Sequence, residues 1–307
     1  MSVVIVTWNA APVLGACLDS VARQRLDGGF ETIVVDNASA DDTASVLARH
    51  AGSVRVLVNA RNEGFSAGNN LAATQARGRI LLFLNSDTEL LADDVLERLA
   101  DAAEAPGTGI VGPLLLNPDG SVQPSCAAHP SIARAIVVSS GLHKLLPARA
   151  RARVMPERAP HDRPREAPWL MGAALALRAD LFRELGGFWP TLYAEEQDLA
   201  RRVQDRGLQV RLEPSARVMH IGNHSNAQRM STPGRGARIA HAELVFLRAH
   251  HSRPSAAAIR VITGLGYAAR AVAHRALGRR DEARLYRAMA HVYARPHDDD
   301  PQGWAAP

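Results

Sequence analysis

Polar side chains follow three short apolar runs in the N-terminal part of this 307-residue chain. They occupy residues 7–9, 36–37 and 85–87, each directly after a run rich in Val, Ile or Leu. Carboxylate and amide oxygens in such positions accept hydrogen bonds from a nucleotide or bind a hard cation. For Asp36 and Asp87 the alternative is that the carboxylate caps the helix that follows. Asp87 lies at a sharp exit from its apolar run without helix-cap spacing, which favours a metal ligand.

A second acidic cluster and one histidine come late in the chain. Glu195, Glu196 and Asp198 lie where a helix is predicted to begin, and the helix dipole favours acids there. Repulsion among three carboxylates, together with partial burial, also raises a pKa and prepares a carboxylate to accept a proton. His220 ends a short apolar run and precedes Gly222, so its ring is either structural or accessible to a metal.

Glycines in the segment 62–70 allow two interpretations. Gly64 and Gly68 would permit the backbone to approach a ligand closely, or they would form a turn that leads into a helix. The segment has no lysine of the Walker type, and no dinucleotide-binding fingerprint follows a strand. The glycines alone therefore do not identify a phosphate-binding loop.

Short β-branched runs alternate with helical stretches from the start to about residue 112. This alternation predicts an α/β fold with a mostly parallel central sheet flanked by helices. Ligands bind beyond the carboxyl ends of the strands in such sheets, so the three polar clusters should converge on one site. Strands are predicted at 3–7, 32–36, 54–58, 80–84 and 110–111, and helices at 13–25, 41–50, 66–76 and 92–103.

The second half of the chain divides into segments of different character. Residues 113–168, rich in Pro, Arg and Ala, predict a loop-rich basic insertion with a helix near 132–146. Two short strands are predicted further on, at 210–212 and 218–220. The expected units are an α/β domain at 1–236, a helical C-terminal extension at 237–293 and a disordered tail at 294–307.

The net charge of +5 is unevenly distributed. Residues 134–165 carry +6 and residues 228–295 carry +10, so the remainder is acidic. This differs from the continuous basic face of a duplex-binding protein, and we expect no nucleic-acid partner. The two cysteines, far apart, should be buried and exclude a disulfide scaffold. No signal sequence or spanning segment is predicted, so we expect a cytoplasmic protein, soluble or peripheral on a membrane.

These motifs occur in a defined order along the chain. They are Val-Ile-Val-Thr-Trp-Asn at 4–9, Val-Val-Asp-Asn-Ala-Ser at 34–39, Asn-Glu-Gly-Phe-Ser-Ala-Gly-Asn-Asn at 62–70, Leu-Asn-Ser-Asp at 84–87, Gly-Ala-Ala at 172–174, Gly-Gly-Phe at 186–188, Glu-Glu-Gln-Asp-Leu at 195–199 and His-Ile-Gly-Asn-His-Ser at 220–225. Jointly they resemble glycosyltransferase family 2, in particular its rhamnosyltransferase-like branch. The resemblance covers roughly residues 2–250.

The resemblance implies a GT-A fold, which is Rossmann-like, and a nucleoside diphosphate sugar as donor. Asp36 would hold the base or ribose of this donor, with Thr7 and Asn9 beside it. Asn69 and Asn85 belong to matching motifs and would also contact the nucleotide sugar. The donor would be a dTDP- or UDP-sugar, with dTDP-rhamnose favoured by the branch.

The resemblance also implies a divalent cation, Mg²⁺ or Mn²⁺, and a general base. Asp87 occupies the second acidic position of the family's DxD motif, whereas the first position is Asn85 here, so one charge is missing. His220 would supply a further metal ligand. The base is usually the Asp after the first Glu of the acidic helix motif, and Glu196 stands there. Its neighbours, Glu195 and Asp198, are the other candidates for this role.

The implied reaction is an inverting sugar transfer, which needs no covalent intermediate and accords with the absence of a nucleophilic Cys or Ser motif. The acceptor would be a glycan or lipid-linked hydroxyl in cell-envelope or surface polysaccharide assembly. Residues 255–277 predict an amphipathic helix that either binds anionic membrane or packs on the protein. The alternatives are a nucleotidyltransferase, although residues 7–12 lack its Gly-rich basic phosphate loop, and a non-enzymatic basic protein that binds RNA or membrane.

Overall fold

The computed structural model describes residues 1–190, 193–222 and 232–295. The predicted motif residues 223–225 and the tail from 296 onward lie outside these ranges. The strands in chain order are β1 (Ser2–Thr7), β2 (Glu31–Asp36), β3 (Arg55–Val58), β4 (Ile80–Asn85), β5 (Thr88–Leu90), β6 (Thr108–Leu116), β7 (Cys126–Ala127), β8 (Arg165–Glu166), β9 (Trp169–Leu170), β10 (Ala174–Arg178) and β11 (Gln209–His220).

Helices connect these strands and continue beyond the last of them. Two single 3₁₀ turns lie at Leu142–Lys144 and Pro156–Arg158. The α-helices are α1 (Ala11–Ala22), α2 (Thr43–Arg49), α3 (Gly64–Gln75), α4 (Val95–Glu104), α5 (Ile132–Ser139), α6 (Ala148–Val154), α7 (Ala179–Glu184), α8 (Glu195–Gln204), α9 (Thr232–His250), α10 (Arg253–Ala276) and α11 (Arg280–Ala294).

Nine strands form one sheet in the order β3-β2-β1-β4-β10-β6-β11-β5, with β8 beside β11. The four strands from β3 to β4 are parallel, whereas β10 is antiparallel to both of its neighbours. Successive residues of β1 point to opposite faces, so Val3 and Ile5 pack with α1, α2 and α4, and Val4 packs with α3 and α7. The predicted α/β fold with a central sheet between helices is confirmed.

One strand replaces the two that were predicted at 210–212 and 218–220. β11 pairs with β6 along nearly its whole length, and the register shifts between Glu213 and Arg217. Pro214 lies within this shift and has no N–H for the ladder, so the irregularity accommodates it. The prediction of two separate strands was therefore wrong, because local turn signals cannot distinguish a bulge from a break.

The predicted insertion is more ordered than its composition suggested. It begins inside β6, and the helix expected near 132–146 ends at Ser139. Gly141 has φ +79°, which ends the helical path before the 3₁₀ turn at Leu142–Lys144. The expected domain boundary after residue 236 falls inside α9. Ala242 and Phe246 of this helix pack on Ala194 of the α/β part.

The turn after α7 is locked to α3 by one asparagine. Asn70 Nδ2 donates to the carbonyl of Phe188 at 2.9 Å, and the N–H of Phe188 donates to Asn70 Oδ1 at 2.9 Å. The Phe188 ring packs on Phe83 of β4, with ring centroids 4.8 Å apart. This lock joins the helix that follows β3 to the segment that leads into α8.

Gly187→Ala is expected to lower the free energy of unfolding by about 1–3 kcal/mol. Gly187 has φ +79°, and a Cβ there would lie 2.6 Å from Asn70 Oδ1, so the substitution adds a clash to backbone strain. Urea denaturation followed by circular dichroism measures the loss.

Gly186→Ala is the matched control, because Gly186 has φ +81° but no atom within 4 Å of an added Cβ. The control should lose less stability than Gly187→Ala. Equal losses would show that the contact with Asn70 contributes nothing beyond backbone strain.

Candidate active site

The carboxyl ends of β2, β1 and β4 lie side by side. Thr7 on β1 pairs in register with Asp36 on β2, and Val6 on β1 pairs with Asn85 on β4. Both pairings are parallel, so the three polar clusters leave the sheet at the same edge. The prediction that these clusters converge is confirmed.

Asp36 and Asn9 hold the loops that leave β2 and β1. Asp36 is buried, and its Oδ1 accepts hydrogen bonds from the backbone N–H (3.0 Å) and the hydroxyl (2.6 Å) of Ser39. Asn9 donates its backbone N–H to Ser39 Oγ at 2.9 Å and accepts the N–H of Ala40 on Oδ1 at 2.8 Å. Asp36 therefore closes a turn through one carboxylate oxygen and does not cap α2, which begins at Thr43.

Two buried polar atoms on β1 and α3 have no hydrogen-bond partner among the described residues. They are Thr7 Oγ1 and Asn69 Oδ1, on residues that are each 1% exposed. Asn69 Nδ2 donates to the carbonyl of Phe65 at 3.0 Å, and this hydrogen bond fixes the orientation of the amide group. An unsatisfied buried polar atom costs about 1–3 kcal/mol, and a bound ligand commonly satisfies it.

The two glycines of the 62–70 segment serve the backbone. Gly64 has φ +86° at the start of α3. This backbone conformation agrees with the interpretation of the segment as a turn that leads into a helix. A Cβ on Gly68 would lie 2.9 Å from both Cγ atoms of Val6, so its absence lets α3 pack closely on β1. That close packing places Asn69 next to the strand that carries Thr7.

Asp87 and His220 approach each other although 133 positions of sequence separate them. His220 is paired with Thr88 across β11 and β5, and its Nε2 lies 3.4 Å from Asp87 Oδ1. The backbone N–H of Ile221 also donates to the carbonyl of Asp87 at 3.0 Å. The sheet thus brings the two predicted metal ligands together.

Gln123 orients the His220 ring. Its Nε2 donates to the carbonyls of Asn117 (Oδ1, 3.0 Å) and His220 (O, 3.3 Å), which leaves Gln123 Oε1 as an acceptor. His220 Nδ1 lies 2.7 Å from that oxygen and must carry the proton. In neutral His220 the lone pair is therefore on Nε2, the nitrogen that faces Asp87.

The donor set around Nε2 fits a divalent cation that is also held by a diphosphate. It offers one carboxylate and one imidazole nitrogen, while the amide Nδ2 of Asn85, a donor and not a metal ligand, lies 3.5 Å from His220 Nε2. Within the described ranges no group of three His, Cys, Asp or Glu side chains assembles. Mg²⁺ and Mn²⁺ sites that use few protein ligands together with substrate phosphates match this composition.

The three carboxylates at the start of α8 lie in different surroundings. Asp198 is completely buried and bonds to Arg202 Nε at 2.8 Å and to His250 Nε2 at 2.8 Å. Both of its oxygens are thus engaged by cationic or polar side chains. Glu195 is buried and accepts the backbone N–H of Ala194 at 2.9 Å.

Glu196 is half-buried and faces the segment that leads into β10. Its Cδ would lie 3.5 Å from a Cβ on Gly172, and the next residue, Ala173, accepts the N–H of Asn85 at 2.9 Å. Glu196 is therefore close to the edge where β4 ends. Burial raises the pKa of Glu196, and burial together with the Glu196 charge raises the pKa of Glu195 well above its usual range.

Several residues of this arrangement were not singled out in the sequence. The turn-forming residues Pro118, Asp119 and Gly120 predict a turn ahead of Gln123, but nothing local connects Gln123 to His220. His250 and the Asn70–Phe188 lock likewise depend on contacts between distant segments, whereas Arg202 pairs with Asp198 within α8. The i, i+4 spacing of Asp198 and Arg202 was the one available signal.

Comparisons with known proteins place the chain in a family. Residues 2–162, about half of the chain, match the family model for glycosyl transferase family 2. An N-acetylglucosaminyl-diphospho-decaprenol L-rhamnosyltransferase of Mycobacterium tuberculosis is 27% identical over 245 residues, which are 74% of this chain and 78% of that protein. The uncharacterized protein y4gI of Sinorhizobium fredii is 41% identical over 127 residues, which are 40% of this chain but only 14% of that protein.

A solved structure supports the fold. The mannosyltransferase PcManGT of Pyrobaculum calidifontis, in complex with GDP-Man and Mn²⁺, superposes with a TM-score of 0.61. The superposition covers 95% of this chain and 85% of that protein, at 18% identity. The chain therefore belongs to glycosyltransferase family 2, with similarity to its rhamnosyltransferase-like branch and the GT-A fold.

Proposed function

We propose that this protein transfers a sugar from a nucleoside diphosphate to a hydroxyl group, with inversion at the anomeric carbon. The observation that carries the proposal is the grouping at one sheet edge of Asp36 and Thr7, the Asp87–His220 pair and Glu196. These groups match the three needs of the reaction: nucleotide binding, charge compensation for a diphosphate, and a proton acceptor.

Donor binding is assigned to the ends of β1 and β2 and to α3. Asp36 keeps its second carboxylate oxygen, Oδ2, for the base or ribose, and Asn9 shapes the adjoining loop. The unsatisfied atoms of Thr7 and Asn69 gain partners when the donor binds. Asn85 Nδ2 lies 3.5 Å from His220 Nε2, and Asn85 would contact the donor beside the cation ligands.

A pyrimidine donor, with dTDP-rhamnose ahead of UDP-sugars, is our choice. Support comes from the similarity to an L-rhamnosyltransferase. The PcManGT complex contains GDP-Man, so the fold itself also accepts a purine nucleotide.

Asp87 and His220 are the residues that would hold Mg²⁺ or Mn²⁺. Such an ion supplies positive charge that stabilises the departing diphosphate. The Mn²⁺ in the PcManGT complex and the lone pair on His220 Nε2, the nitrogen that faces Asp87, support this assignment. Asn85 replaces a charged ligand of the DxD motif with a neutral one, so the donor phosphates contribute more of the negative charge.

Glu196 is the proposed general base. It accepts the proton of the acceptor hydroxyl while that oxygen forms a bond to the anomeric carbon. The bond from this carbon to the phosphate oxygen breaks, and the nucleoside diphosphate leaves with the electron pair. A partly buried carboxylate with a raised pKa is a stronger proton acceptor than an exposed one.

The acceptor is proposed to be a glycan or a lipid-linked molecule of cell-envelope or surface polysaccharide assembly. The relative named for transfer to N-acetylglucosaminyl-diphospho-decaprenol supports a lipid-linked acceptor. The arginine-rich segments at 134–165 and 228–295 suit an anionic diphosphate lipid. The enzyme would then act in the cytoplasm, peripheral on the inner face of the membrane.

Titration calorimetry with dTDP, UDP and GDP in the presence of Mn²⁺ tests the donor assignment. We expect dTDP or UDP to bind, and the corresponding sugar nucleotides to release nucleoside diphosphate on turnover. Binding of GDP alone would overturn the pyrimidine assignment. Release of pyrophosphate from a nucleoside triphosphate and a sugar phosphate would instead indicate a nucleotidyltransferase, and no binding at all would favour a non-enzymatic protein.

A further inference from the structure

Exposed apolar side chains are concentrated in two segments that pack against each other. Of the fifteen large hydrophobic residues exposed in the described part of the chain, eight lie within residues 132–145 and 261–277. A typical soluble surface scatters such residues singly, so this concentration indicates a contact surface. The eight are Ile132, Ile136, Leu142, Leu145, Val261, Leu265, Val272 and Leu277.

The inner face of α10 is fixed to the protein. A Cβ on Gly266 would lie 2.5 Å from Ser139 Oγ of α5, so the two helices are in close contact. Arg270 donates to the carbonyl of Val138 at 2.6 Å, and Ile259 is 1% exposed. Helix α10 is thus held to α5 along its middle.

The outer face of α10 is also apolar. Residues 257, 261, 265, 268, 272 and 276 are all Ala, Val or Leu, and steps of three and four residues place them within an arc of about 100°. Leu265 is 66% exposed and Val272 is 70% exposed. Helix α10 is long and apolar enough to span a membrane. Only 17% of its most apolar 18-residue stretch is buried inside the protein. We call this outer face of α10 the apolar surface.

Positive charge is concentrated in α10 and in the segment packed against it. Residues 131–156 contain five Lys or Arg and residues 252–280 contain six, and the first acids after these segments are Glu157, Asp281 and Glu282. Arg134 pairs with Glu157 at 3.4 Å and Arg270 donates to the Val138 carbonyl, so these two cations are engaged within the protein. Apolar residues beside an excess of cations complement the headgroups and acyl boundary of an anionic lipid layer. The other cations are Lys144, Arg149, Arg151, Arg153, Arg253, Arg260, Arg275, Arg279 and Arg280.

We propose that the apolar surface docks on an anionic lipid bilayer. The outer face of α10 enters the boundary between headgroups and acyl chains, and the flanking Lys and Arg side chains contact lipid phosphates. The docking is inferred from this surface alone. That it brings the enzyme to a lipid-linked acceptor rests on the proposed function.

Two other arrangements fit the surface less well. Helix α10 could cross a bilayer only by leaving α5 and carrying Arg260, Arg270 and Arg275 into lipid, which is costly. A second copy of the chain would place two sets of cations against each other, because a twofold interface joins the same patch on both subunits. An anionic bilayer satisfies both the apolar and the charged groups, whereas these two arrangements do not.

Co-sedimentation of the full chain with vesicles tests this inference, without donor or acceptor, so its outcome does not depend on sugar transfer. Binding is expected with vesicles of phosphatidylcholine and phosphatidylglycerol, and it should weaken as salt shortens the Debye length. The triple variant V261Q/L265Q/V272Q should bind at least ~10-fold more weakly, because it removes apolar area from the contact. The three positions are exposed, so the fold should persist, as thermal melting checks.

Val58→Gln is the matched control, since Val58 is 72% exposed on β3, outside both segments, and should leave vesicle binding unchanged. Equal pelleting with pure phosphatidylcholine would overturn the anionic requirement. No binding to either vesicle, or equal binding by the triple variant, would overturn the docking itself. A dimer in light scattering that the triple variant dissociates would assign the surface to a second copy.

Discussion

Glu196→Gln is expected to reduce kcat at least ~100-fold while the Kd of the donor nucleotide stays nearly unchanged. The substitution keeps the size and hydrogen-bonding capacity of the side chain beside Gly172 but removes its ability to accept a proton. Donor contacts are assigned to β1, β2 and α3, away from this carboxylate. Release of nucleoside diphosphate in the presence of acceptor measures kcat, and calorimetry measures Kd.

The neighbouring acids provide the controls for this prediction. Asp198→Asn should mainly reduce thermal stability, because it weakens the buried contacts with Arg202 and His250. Glu195→Gln should leave more activity than Glu196→Gln. If Glu196→Gln kept a near-normal rate while one of the other two lost it, the base would be that neighbour, and full activity in all three would refute a carboxylate base on α8.

The pH dependence of kcat/KM gives an independent check on the same residue. The base must be ionised to act, and burial raises the pKa of Glu196 above its usual value of 4.5. Activity should therefore fall as the pH decreases through a value above the ordinary carboxylate range. The residual activity of Glu196→Gln should lack this acidic limb, and persistence of the limb would assign it to another group.

Asp87→Ala is expected to abolish metal-dependent turnover and to remove detectable Mn²⁺ binding in the presence of nucleotide. Asp87 is the carboxylate in the donor set around His220 Nε2, at 3.4 Å, and Asn85 cannot replace its charge. Turnover across Mn²⁺ concentrations and calorimetric Mn²⁺ titration measure the two effects. Glu89→Ala removes a charge from the adjoining strand β5 and should leave both nearly intact.

Gln123 offers a graded companion to this experiment. Gln123→Leu removes the acceptor that holds the proton on His220 Nδ1, so the ring is free to rotate or change tautomer. Mn²⁺ affinity should fall ~10- to 100-fold, the usual cost of losing such support, while the fold persists. Unchanged Mn²⁺ affinity in Gln123→Leu would show that Gln123 does not position the ring, and unchanged affinity in Asp87→Ala would remove Asp87 from the metal site.

Local chemistry in the sequence predicted the parallel half of the sheet and the polar edge where β1 and β2 end. Buried strands leave continuous apolar runs, and the first polar residue after such a run marks the strand end; Thr7 and Asp36 were found in this way. Parallel strands end at one edge, so three separate polar clusters implied one place. The order of the motifs extended this inference to Asp87, Glu196 and His220.

Contacts between distant segments decided what these residues are able to do. Asp198 and Glu196 look alike in the sequence, yet Arg202 and His250 engage one of them and leave the other facing Gly172. A hydrogen bond spanning 97 positions sets the proton on His220, and no periodicity encodes such a contact.

The C-terminal helices show the same limit. Helix α10 carries apolar residues on two sides, since Ile259 lies about 120–140° around the helix from Leu265 and Val272. Ile259 is buried while Leu265 and Val272 are exposed. Hydropathy by itself does not say which side of an apolar helix meets a neighbour. That choice was made by the close contact between Gly266 and Ser139, because only the absence of a side chain at Gly266 lets α5 approach there.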